Sequence, residues 1–119
     1  MLIRNLESRA EFKAGDGTIL REILRPEEAN VAIRYSLAHA RLPAMQASQQ
    51  HRLSSTEVYY ILEGAGIMQI DGERQEVGPG DCIYIPPSAV QHIENMGSSD
   101  LVFLCVVDPA WRKEDEEVL

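Results

Sequence analysis

Apolar runs rich in Val, Ile, Leu and Tyr recur along this chain, and short clusters of Gly, Pro, Asp and Ser separate them. Runs of this length with period-two alternation read as strands, and almost no stretch carries the 3.6-residue period of a helix. The pattern predicts an all-β sandwich or barrel. Predicted strands cover residues 1–4 as a short edge, 18–24 after the Gly15-Asp16-Gly17 turn, and 31–42. In the last of these, Ile33, Tyr35, Leu37 and His39 share one face, and Ala32, Arg34, Ser36, Ala38 and Ala40 share the other. Further strands are predicted at 58–62, 67–70, 74–77, 82–85, 89–95 and 101–107. Asp71-Gly72 between two of them is the strongest hairpin signal in the chain. Pro86-Pro87 must end or bend a ladder. Asp108-Pro109 is suited to N-cap and N1 of a helix, yet acids crowd the end of 111–119, where the helix dipole is negative. A short frayed helix or a loose tail is expected there.

A chain of 119 residues is long enough for one domain, 1–119, with one core. Its formal charge of −8 argues against a nucleic-acid partner, because phosphate binding needs clustered positive charge. The same charge disfavours anionic membranes, and no apolar run approaches the roughly 20 residues of a membrane span. The polar start is not that of a signal peptide, so a cytoplasmic protein is expected. Cys82 and Cys105 lack metal or redox spacing and read as two buried thiols.

Two blocks carry the chemistry. Residues 51–64, HRLSSTEVYYILEG, place His51 and Glu57 at the start of an apolar run. Residues 80–95, GDCIYIPPSAVQHIEN, follow after a gap of fifteen residues. These blocks resemble the two motifs of the cupin superfamily. His51, Glu57 and Gly64 fall on the first His, the Glu and the last Gly of the first motif. Gly80, Pro86 and Asn95 fall on their places in the second. The resemblance covers about 31–107 and implies a double-stranded β-helix (jelly-roll) barrel, often dimeric, with its site in the barrel mouth. Members that bind metal usually do so through three His and the Glu. This chain departs at four places: Met45 and Ser88 stand where the motifs have Gly, and Leu53 and Gln91 stand where they have His.

By strand parity the inward set is His51, Glu57 and Gln91, and His92 points the other way unless a bulge shifts its strand by one residue. Imidazole and carboxylate suit Zn, Fe, Mn, Ni or Cu, so the trio is a candidate site for one divalent ion, one His short of the usual non-haem iron or zinc sets. Gln49, and His39 from a neighbouring strand, are candidate weak further ligands. The alternative is a metal-free polar set, in which His51 and Glu57 pair with each other and Gln91 completes the network. Leu53 makes the mouth drier, Tyr59 lines it with Gln49, and Tyr35 and Tyr84 are further aromatic candidates. Three expectations follow: a small-molecule-binding barrel, a metal-dependent enzyme of the dioxygenase, isomerase or cyclase type, or a regulatory or interaction subunit. A homodimer is expected in each case.

Overall fold

A computed structural model describes residues 1–26, 28 and 31–119. Eleven strands form among them: β1 (Phe12–Lys13), β2 (Ile19–Leu24), β3 (Ser36–Leu42), β4 (His51–Leu53), β5 (Thr56–Glu63), β6 (Gly66–Ile70), β7 (Glu73–Val77), β8 (Cys82–Ile85), β9 (Gln91–Glu94), β10 (Leu101–Asp108) and β11 (Glu116–Val118). They build a six-stranded sheet in the order β1-β2-β3-β10-β5-β8 and a five-stranded sheet in the order β11-β4-β9-β6-β7, with every ladder antiparallel. The two sheets bury their facing sides against each other as a jelly roll, the fold expected of the resemblance.

Alternation decides what faces inward. On β5, Glu57, Tyr59 and Ile61 are buried; on β10, Leu101, Phe103, Cys105 and Val107. From the other sheet come Leu53, Met68 and Ile93. Leu42, Ile61, Ile85, Ile93, Leu101 and Phe103 fill one end of the interior, and Tyr59 packs its ring against Phe103 at 4.6 Å between centroids. Toward the other end β3 supplies only Ala38 and Ser36, which are too small to close the gap between the sheets. The barrel mouth therefore lies at that end.

The turns follow their residues. Asp71 and Gly72 both take positive φ, as the tight β6–β7 hairpin requires. Gly64 has φ +85°, and a Cβ there would lie 2.5 Å from the Asp100 carbonyl oxygen, so no other residue fits. Met45 and Ser88, the two replacements for motif glycines, also have positive φ, 66° in both cases. The backbone has kept the glycine conformation without the glycine.

Three predicted elements and one predicted burial change. Residues 1–4 form no strand. The strand predicted over 31–42 begins only at Ser36, where pairing with β10 and β2 starts. The C-terminal segment holds no α-helix: a short 3-10 turn at Lys113–Asp115 leads into β11, which pairs with β4. Finally, the two thiols differ, Cys105 being buried and Cys82 exposed on the outer side of β8. No helix among the described residues is long and apolar enough to cross a membrane.

Candidate functional site

β4 and β9 are neighbours, and their register sets His51 opposite Gln91. β5 faces them from the other sheet with Glu57 and Tyr59 inward. All four side chains are buried. Gln91 joins the sheets: its Nε2 donates to Glu57 Oε1 at 2.8 Å, and its Oε1 accepts from the Tyr59 hydroxyl at 3.1 Å. Burial pushes the Glu57 carboxyl up to about 8, aided by the nearby charges of Asp16 and Glu116 and opposed by the Gln91 hydrogen bond. Glu57 is thus mostly protonated at neutral pH. Burial also pushes the Tyr59 hydroxyl and the Cys105 thiol upward.

His51 and Glu57 take different partners, so the pairing weighed from the sequence is replaced by two separate contacts. His51 Nδ1 lies 2.8 Å from the Gln49 carbonyl oxygen. A carbonyl only accepts, so Nδ1 carries a proton and Nε2 is the nitrogen turned to the cavity. Nε2 sits 3.5 Å from Oδ2 of Asp16. That distance exceeds a good hydrogen bond, so both atoms keep capacity for a third partner. Asp16 is itself held: its Oδ1 accepts from the backbone N–H of Thr18 at 3.0 Å and from the Thr18 hydroxyl at 2.7 Å.

The mouth is a cavity of about 210 Å³. Leu20, Ala38, Leu53, Phe103 and Val107 supply apolar wall, while Asp16, His51, Glu57 and Tyr59 supply polar groups. Phe12, Lys13, Trp111 and Glu116 border it, and Trp111 Nε1 donates to Glu116 Oε2 at 2.6 Å. Asp16, Trp111 and Glu116 escape a reading of the sequence. Asp16 looks like turn punctuation there, and the signal that marks it is an acid held between two glycines ahead of a strand. Trp111 and Glu116 lie in the segment expected to be a loose tail.

Other candidates fall outside the cavity lining. Gln49 offers its carbonyl to His51, but its side chain is exposed. On β3 the face carrying Ser36 and Ala38 turns inward, so His39 lies on the outer face, and Tyr35 and Tyr84 are exposed. β9 pairs with β6 without a slip, which leaves His92 on the outer side with Nε2 3.2 Å from Glu94 Oε1. Asn95 is a structural clamp: its Nδ2 donates to the carbonyls of Leu42 and Ser99, and its Oδ1 accepts from the Gly97 N–H.

The metal set of three His and a Glu does not fit this donor arrangement. Leu53 offers no donor, and the oxygen of Gln91 is engaged by Tyr59 while its amino group faces Glu57. Among the described residues no group of three or more His, Cys, Asp and Glu is placed to hold a metal ion.

A family model described as Cupin domain matches residues 38–107. The chain is 44% identical over 105 residues to Uncharacterized protein MJ1618 of Methanocaldococcus jannaschii, across 87% of this chain and 83% of that protein. It is 29% identical over 112 residues to the Oxalate-binding protein of Thermotoga maritima, across 90% of this chain and 93% of that one. The solved structure of plu4264 protein from Photorhabdus luminescens shares the fold, with a TM-score of 0.80 at 22% identity over 97% of this chain and 91% of that one. The matched segment contains both motif blocks, the buried trio His51, Glu57 and Gln91, and the Asn95 clamp, and this chain therefore belongs to the cupin family as a small jelly-roll barrel protein.

Proposed function

We propose that this chain binds a small organic molecule in its barrel mouth, with His51 and Glu57 as the polar floor, Gln91 behind them holding Glu57 and Tyr59, and Leu53 and Tyr59 as flanking contacts. The observation that carries the reading is the cavity of about 210 Å³ that reaches the buried acid Glu57. An unfilled space of this kind costs packing energy, and a buried carboxyl costs solvation; together they are the usual marks of a ligand site. The volume lies below the roughly 300 Å³ at which drug-sized ligands begin to fit, so the ligand is small. The relative named Oxalate-binding protein supports the small-molecule class. The donor set gives no support to a divalent ion at His51, Glu57 and Gln91, and no metal-dependent step is assigned.

The test is a thermal-shift screen across metabolite classes, with Ala38→Phe as the cavity-filled control. A ligand should raise the Tm of the native chain and not that of the variant. No shift with any class would overturn the reading, as would an equal shift in both proteins.

A homodimer accompanies this reading. Its support is the outer face of the six-stranded sheet, where Tyr60, Leu62 and Tyr84 are exposed next to one another on β5 and β8. Sedimentation that returns a monomer at micromolar concentration would overturn it. The two free thiols, Cys82 and Cys105, support a reducing compartment such as the cytoplasm.

A further inference from the structure

The charge lining the mouth is lopsided. Three acids, Asp16, Glu22 and Glu116, line the cavity beside the protonated carboxyl of Glu57, against Lys13, and Glu22 is paired with Arg25. Three of its polar atoms have accepting capacity left. Among the described residues Asp16 Oδ2 has only the 3.5 Å contact with His51, and His51 Nε2 only that same contact. Glu57 is more than nine-tenths buried and lines the cavity, yet only its Oε1 is hydrogen-bonded among the described residues. An anion brought here would meet Asp16 and Glu116 with little positive charge to offset them, and desolvation would add to its cost. A protonated nitrogen meets the opposite situation: its N–H donors suit Asp16 Oδ2 and His51 Nε2, and the acids attract it. The apolar wall of Leu53, Val107 and Trp111 suits a hydrocarbon body.

We propose that the ligand of this barrel is a small organic cation, a primary amine with an apolar body, whose ammonium group is held by Asp16 and His51, with Glu57 lining the same cavity. The inference rests on the mouth being a ligand site, as proposed above. It places part of the specificity outside the matched segment 38–107, since Asp16, Trp111 and Glu116 come from the β1–β2 turn and the C-terminal segment. Gly15 and Glu116 meet across the mouth: a Cβ on Gly15 would lie 3.1 Å from Glu116 Oε1.

The experiment uses the full chain and matched probes, benzylammonium against benzoate and butylammonium against butyrate, by calorimetry with a chelator present. The ammonium of each pair should bind and its carboxylate should not. Asp16→Asn should weaken ammonium binding by about tenfold or more, the loss expected for a charge-assisted hydrogen bond. Asn retains the side-chain oxygen that Thr18 uses; if the variant is misfolded by circular dichroism, proton release serves instead. Binding at neutral pH should release protons as Glu57 ionises beside the cation, seen as a dependence of the heat on buffer ionisation enthalpy. Carboxylates binding in place of ammoniums would overturn the cation inference and leave the ligand site standing. Failure of every probe at millimolar concentration would overturn the inference, and the broad metabolite screen then decides the ligand site separately. Binding unchanged in a folded Asp16→Asn variant would also overturn the inference.

Discussion

The substitution Glu57→Gln removes a titration that makes stability depend on pH. In the unfolded chain the carboxyl titrates near its ordinary 4.5, whereas burial holds it at about 8 in the fold. The folded value is the raised one, so the folded state binds the proton more tightly. Below pH 4.5 both states are protonated and the contribution to stability is complete. As pH rises through the window from 4.5 to 8 only the unfolded state ionises, and stability falls. The interval of 8 − 4.5 corresponds to about 5 kcal/mol at ~1.4 kcal/mol per pH unit. That is a large part of the roughly 5–15 kcal/mol typical of a domain's total stability. The substituted amide does not titrate, and its oxygen can still accept from Gln91 Nε2. The assay is urea denaturation of both proteins from about pH 5 to 8, taking the difference at each pH so that the other acids cancel. That range also lies below the titration of Cys105 and Tyr59, whose groups are pushed up by burial. The variant should gain on the native chain by about 1.4 kcal/mol per unit through the middle of the window. A difference flat to within about 1 kcal/mol would refute the reasoning, because Glu57 would then be ionised and solvated in the folded state.

Other outcomes follow from single residues. Met45→Gly and Ser88→Gly should each stabilise by about 1 kcal/mol, since both positions hold positive φ and both side chains are exposed; a loss of stability in thermal unfolding would contradict that. Asn95→Ala should cost about 3 kcal/mol in urea denaturation, because it strips the buried hydrogen bonds to Leu42, Ser99 and Gly97. A cost below about 1 kcal/mol would dismiss the clamp. Untagged protein should carry far less than one metal ion per chain by plasma mass spectrometry, and a stoichiometric ion lost in His51→Ala would defeat the donor-set argument.

Much of this molecule is local information, legible along the chain itself. Alternation locates most of the strands, Asp71-Gly72 locates the hairpin, and parity places His51, Glu57 and Gln91 on the inner face and His92 on the outer. These succeed because side chains alternate with period two and because tight turns demand particular residues. Tertiary pairing decides the rest. Parity alone does not say which face of β3 turns inward; the space left between the sheets selects Ser36 and Ala38 and puts His39 outside. Asp108-Pro109 reads locally as a helix start, but the chain that follows reaches β11, whose partner β4 lies some sixty residues earlier, from Glu116↔Leu53 to Val118↔His51. Asp16 enters the site by the same kind of long-range contact, with His51 and with the backbone of Gln49. The motif's His and Glu positions can be read along the chain. The acids that surround them are contributed by the β1–β2 turn and β11, remote in sequence, and only closing the barrel brings those segments together.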